Sequence, residues 1–128
     1  MRQVLIDTDV WIDYFKGRKE AVILMESLSV GLGVKISVLS VSELLSGWDE
    51  NQAQFFLPKL YDLADVEEVN GKIAELAGYW RRSFAKAGSV LPIVDCLIAA
   101  TCVTKGLQLV TRNLKHYPMK ELEILKLN

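Results

Sequence analysis

Two rhythms of apolar and polar residues alternate along this chain. Short β-rich runs at residues 2–6, 34–39, 107–110 and 122–127 are too brief for helices, and a weaker one covers 65–69. Gly31 and Gly33 stand just before the second run. Between the strands, apolar residues recur at i, i+3, i+4 and i+7, which is one face of a helix. Ala21, Leu24, Met25 and Leu28 form one such face, and Ala53, Phe56, Leu57 and Leu60 a second. Ile73, Leu76, Ala77, Trp80 and Phe84 mark a longer one that Gly88 should end. Residues 40–46 read as a short helix, and 93–105 as a helix opened by Pro92 and stopped by Gly106. Alternation of this kind predicts an α/β fold around a mainly parallel sheet.

With 128 residues the chain fits one domain, residues 1–128, with no repeat or linker. Half-apolar composition, 51% hydrophobic with 24% charged, excludes a disordered or fibrous protein. Asp7 and Asp9 interrupt the first apolar run before it could act as a signal-peptide core. No stretch reaches the roughly 18 apolar residues of a membrane helix, so a cytoplasmic protein is expected. Cys96 and Cys102 fall about 240 degrees apart around one helix, which predicts reduced core thiols rather than a disulfide or a zinc set.

Chemistry enters with the acids. Asp7 ends the first run, Glu43 follows the second by a few residues, and Asp95 lies in the first turn of the 93–105 helix, where the dipole favours its charge. Asn113 follows the fourth run. In parallel α/β sheets, ligands gather beyond the carboxyl ends of strands, so these four residues can meet on one edge. Carboxylates without thiolates and with at most one imidazole suit Mg²⁺ or Mn²⁺, and such ions serve phosphodiester hydrolysis.

The strings VLIDTDVWIDYFKG, ISVLSVSELLSG, LPIVDCLIAATCVTKGL and LVTRNLKHY resemble, in order and context, those of PIN-domain ribonucleases. The chain is similar over nearly its whole length to VapC-type toxins, the nuclease halves of toxin–antitoxin pairs. The resemblance implies a three-layer α/β/α sandwich and a metal-dependent endoribonuclease. It also implies a homodimer, held inactive by an antitoxin. Asp7, Glu43 and Asp95 match the family's acids, with Thr8 and Thr111 as supporting hydroxyls and Asp9 beside them. The fourth acidic position departs from the strictest pattern, because Asn113 and His116 stand there without an aspartate. Asn113 can hydrogen-bond a water near the ion but adds no charge.

A net charge of −1 supplies no global attraction to RNA, so a local basic face is needed. Candidates are Arg81, Arg82 and Lys86, and near the last motif Arg112, Lys115 and His116. Trp11, Phe15, Trp48 and Phe55 are candidates for an antitoxin groove. Three other readings compete. The DTD of residues 7–9 also opens haloacid-dehalogenase-like phosphatases, although no later paired-acid motif follows. A receiver-like signalling domain has similar length and plan. A binding module without catalysis is the third. A serine hydrolase is excluded because no GxSxG elbow accompanies His116.

Overall fold

The computed structural model describes residues 3–28 and 33–127. Five strands form one sheet: β1 Val4–Ile6, β2 Val34–Ser37, β3 Asp65–Glu67, β4 Gln108–Thr111 and β5 Ile124–Lys126. Their order is β3-β2-β1-β4-β5, and every neighbouring pair is parallel. This order separates the fold from the 2-1-3-4-5 arrangement of receiver domains. The helices are α1 Thr8–Phe15, α2 Lys19–Ser27, α3 Val38–Gly47, α4 Glu50–Leu63, α5 Gly71–Lys86 and α6 Ile93–Lys105, and a 3-10 turn covers Leu114–His116.

Successive side chains of a strand point to opposite faces, and both faces of this sheet are covered. Leu5 and Leu109 pack with Ile73, Ala77 and Trp80 of α5 and with Ile98 and Ala99 of α6. Val4, Ile6 and Val110 pack on the other side with Val10 and Trp11 of α1, Met25 of α2 and Leu44 of α3. Each fully buried Leu or Ile stabilises the fold by about 1.5–3 kcal/mol, so the two apolar layers hold the three-layer α/β/α sandwich.

Strands β3 and β5 are shorter than the runs at 65–69 and 122–127, and two further departures from the sequence reading are set by caps. The β-rich run at 34–39 ends as a strand at Ser37, whose hydroxyl accepts the Leu39 amide and starts α3 at Val38. A local cap outweighs the β-propensity of Val38 and Leu39. Helix α1, which no i, i+3, i+4 spacing announced, begins because Asp7 caps it by accepting the Thr8 amide. The expected ends of α5 and α6 hold: α5 finishes at Lys86 with Gly88 at φ +95°, and Gly106 closes α6 at φ +68°. Arg2 and Gly31, placed in or before strands by sequence, lie outside the described residues.

Strand β1 is flanked by β2 and β4: the chain runs outward from β1 through β2 to β3, then crosses back to β4 and runs outward the other way to β5. The crevice at such a reversal, beyond the carboxyl ends of β1 and β4, is where α/β sheets bind ligands. Asp7 and Thr111 stand there. Among the described residues no helix is long and apolar enough to cross a membrane, and Cys96 and Cys102 are free and buried.

Candidate active site

Asp7 is the innermost acid, 5% exposed, and its backbone amide still donates to Val110 O across the β1–β4 ladder at 2.9 Å. Its carboxylate has three donors. The Thr8 amide donates to Oδ1 at 2.9 Å, and Thr111 Oγ1 and Tyr117 OH each donate to Oδ2 at 2.9 Å. Burial above all, and then the charge of Asp9, raise its pKa from 3.8 to about 6 against the pull of those hydrogen bonds. Among the described residues no cationic side chain forms an ion pair with Asp7.

Thr8 links this acid to the next. Its amide serves Asp7, and its hydroxyl donates to Glu43 Oε1 at 2.7 Å and lies 2.7 Å from Ser40 Oγ. Glu43 itself is exposed on α3. Asp9 accepts the Arg112 amide on Oδ2 at 3.1 Å, whereas its Oδ1 is buried without a partner. Burial raises the Asp9 pKa first of all, opposed by the amide of Arg112. One turn on, Asp13 is gripped by the guanidiniums of Arg112 and Arg18. Arg112 therefore ties the loop after β4 to α1, which fixes the Thr111 hydroxyl against Asp7.

The third acid occupies the opposite wall. Asp95 Oδ2 lies 2.7 Å from His116 Nδ1, and Asn113 Nδ2 lies 3.1 Å from the same nitrogen. A carboxylate only accepts, so Nδ1 donates to Asp95 in one tautomer and accepts from Asn113 in the other. Asn113 is thus turned toward His116 and serves the site through it. Tyr117, which the sequence reading passed over, lies between the two walls. Burial, then Asp7, then Asp95 push its phenol far above its ordinary pKa, so it stays protonated and donates. The Cys102 thiol, pushed up to about 12 by burial and by Asp7, is an inert part of the floor.

The basic candidates separate by role. Arg81 is committed to the fold, its Nε donating to Leu91 O at 2.5 Å. Arg82 sits over Tyr79, 5.9 Å from the ring centre, and Lys86 and Lys115 are exposed. A groove of about 450 Å³ is lined by Ile12, Phe15, Leu44, Trp48 and Phe56 together with Lys16 and one of the acids, Glu43. Two of the four expected groove aromatics are present in it. Trp11 is fully buried beneath Phe15, with ring centres 6.1 Å apart, and cannot line a surface. Phe55 is 71% exposed outside the groove, and Phe56 lines it instead, 4.8 Å from Phe15. The i, i+3 position of Phe56 on α4 had marked it as core.

This oxygen-rich corner fits a hard divalent ion. Asp7 carries a desolvated carboxylate in no ion pair among the described residues, Asp9 holds a buried oxygen without a hydrogen-bond partner, and the donors are oxygens. Among the described residues no three acidic, histidine or cysteine side chains form a ready-made cage. Glu43 and Asp95 are instead tied to Thr8 and His116. The arrangement suits an ion that keeps several waters, as Mg²⁺ does.

Comparisons with known proteins place the chain in a family. The family model described as PIN domain matches residues 4–122. Ribonuclease VapC19 of Mycobacterium tuberculosis is 32% identical over 120 residues, covering 90% of this chain and 92% of that protein. Ribonuclease VapC1 of Methanocaldococcus jannaschii is 30% identical over 115 residues, covering 90% and 79%. Among solved structures, a chain of VapBC2 from Rickettsia felis, crystallised with a DNA fragment from its promoter, superposes with a TM-score of 0.84. That match has 19% identity and covers 98% of each chain. With the family model and both curated relatives spanning most of its length, the chain belongs to the PIN-domain family, beside the VapC ribonucleases.

Proposed function

We propose that this protein is a ribonuclease toxin that hydrolyses RNA phosphodiester bonds with Mg²⁺ or Mn²⁺ and is restrained by a partner antitoxin. The observation that carries the reading is Asp7, a buried carboxylate raised to about 6 at the carboxyl end of the central strand. Such a charge is stable once a cation shares it. The curated relatives are named ribonucleases, which supports RNA as the substrate class.

Asp7 and Asp95 would hold the ion, with Glu43 beside them. When bound, the ion would neutralise charge on the scissile phosphate and help activate a water. The chain's own groups do the rest. Glu43 Oε1 is fixed by Thr8, which leaves Oε2 to orient the attacking water for in-line displacement. His116 keeps Asp95 turned inward, and Arg112 holds the β4 loop closed on α1. Exposed Lys115, in the 3-10 turn after β4, would be available to the RNA backbone. The groove between α1, α3 and α4 reaches the acids through Glu43, so an antitoxin segment placed there would lie against the site. Solved relatives that are toxin–antitoxin complexes support this partner.

Purified protein should cleave RNA in Mg²⁺ and stop in EDTA, and Asp95→Asn should abolish most of the activity. Cleavage that persists after thorough chelation, or an Asp95→Asn protein as fast as the parent, would refute the assignment.

A further inference from the structure

The hydrogen bonds around Asp7 leave a stereochemical signature. A carboxylate offers about four lone-pair positions, two on each oxygen. Both positions of Oδ2 are taken, one by the Thr111 hydroxyl and one by the Tyr117 phenol, each at 2.9 Å. One position of Oδ1 is taken by the Thr8 amide at 2.9 Å. A single lone pair on Oδ1 is left.

These donors cannot step aside. Thr111 is 0% exposed and Tyr117 3%. The direction of the Thr111 bond is also set, because its oxygen accepts the Asn113 amide at 3.0 Å and its proton is therefore aimed at Asp7. The Tyr117 ring is held in the core formed by α5, α6 and β4, so rotating its hydroxyl away would leave a buried carboxylate oxygen short of a donor.

Divalent ions differ in what they ask of a carboxylate. Ca²⁺ takes 6–8 oxygens and readily uses both oxygens of one carboxylate, whereas Mg²⁺ demands an octahedral shell and binds through single oxygens and waters. We infer that Tyr117 and Thr111 are positioning residues that restrict Asp7 to single-oxygen coordination through Oδ1, and so make the site select a small octahedral ion over Ca²⁺. The inference rests on the cation site proposed above and names what tunes it. Tyr117 acts through Asp7 and needs no contact with the ion or the RNA.

The test uses the full chain without RNA. Mn²⁺ binding is followed by electron paramagnetic resonance, and Mg²⁺ and Ca²⁺ are titrated as competitors to give the ratio of their affinities. In Tyr117→Phe, Mn²⁺ affinity should fall about 10-fold, the usual scale for removing a partner of a metal ligand. The affinity ratio should move toward Ca²⁺, because the second oxygen of Asp7 has become available. Thr111→Val should move the ratio the same way, and Thr111→Ser, which keeps the hydroxyl, should restore the parent value. The Thr111 pair decides the matter if Tyr117→Phe does not fold. An unchanged ratio in folded Tyr117→Phe and Thr111→Val, or a shift toward Mg²⁺, overturns the inference while leaving the cation site intact. A parent protein that binds no Mn²⁺ overturns both.

Discussion

Asp7 and Glu43 share one neighbour, Thr8, yet they occupy opposite physical situations. Asp7 is buried at the end of the central strand with three fixed donors, while Glu43 stands exposed on α3 with one hydroxyl. The inner acid is raised to about 6, so its environment resists the very charge that a cation would need. On the function proposed above, the difference gives the two acids separate work: Asp7 would store unfavourable charge that a bound cation relieves, and Glu43 would supply a solvent-accessible carboxylate at the mouth of the groove.

The comparison is most sharply broken by exchanging the acids one at a time. Asp7→Asn should reduce RNA cleavage by about 10³-fold, and Glu43→Gln by only about 10-fold, in single-turnover assays with Mg²⁺. Equal losses would mean that depth in the fold does not divide their roles.

Stability offers the next largest effect. Because the Asp7 pKa is higher folded than unfolded, the folded state holds that proton more tightly. Its contribution to stability is present in full below 3.8 and is lost as pH rises through about 6. In EDTA, Asp7→Asn should therefore gain on the parent by about 2–3 kcal/mol between about pH 4 and about pH 7.5. Urea unfolding at the two pH values measures this. A gap that stays constant would show that burial does not penalise the charge.

Asp13 tests the frame that keeps the inner acid in place. It is 8% exposed, but its partners Arg18 and Arg112 are 60% and 50% exposed, so solvent screens much of the pairing. Asp13→Asn should cost about 1 kcal/mol in thermal unfolding. It should also loosen the β4 loop, read as faster hydrogen exchange at the Arg112 and Asn113 amides. The smallest effect is expected at His116, whose side chain is 35% exposed beside an 18% exposed Asp95. His116→Ala should lower cleavage less than about 5-fold, because Asp95 keeps its place in the first turn of α6.

The strands, and the positions of the three acids at element ends or on α3, were legible in the sequence because each is announced by neighbours a few residues away. Asp7 ends an apolar run, and Asp95 opens a helix after Pro92. What stayed hidden depends on distant partners. Nothing near Tyr117 signals that its hydroxyl reaches Asp7, since the pair is separated by 110 positions. Its only local hint is its place beside the single histidine. Trp11 and Phe55 show the same limit: two aromatics with similar local context have opposite fates, one buried under Phe15 and one in solvent. Arg81, read from its helix face as a nucleic-acid contact, spends its Nε on a carbonyl ten residues away.

That long reach also sets a clock on biosynthesis. Strand β1 is made first, but its neighbour β4 and the two hydroxyls that hold Asp7 arrive 104 and 110 residues later. Chains emerge at about 5–20 residues per second, so Asp7 waits several seconds for its donors. Until Tyr117 has emerged, a nascent chain therefore carries this acid without its full set of donors.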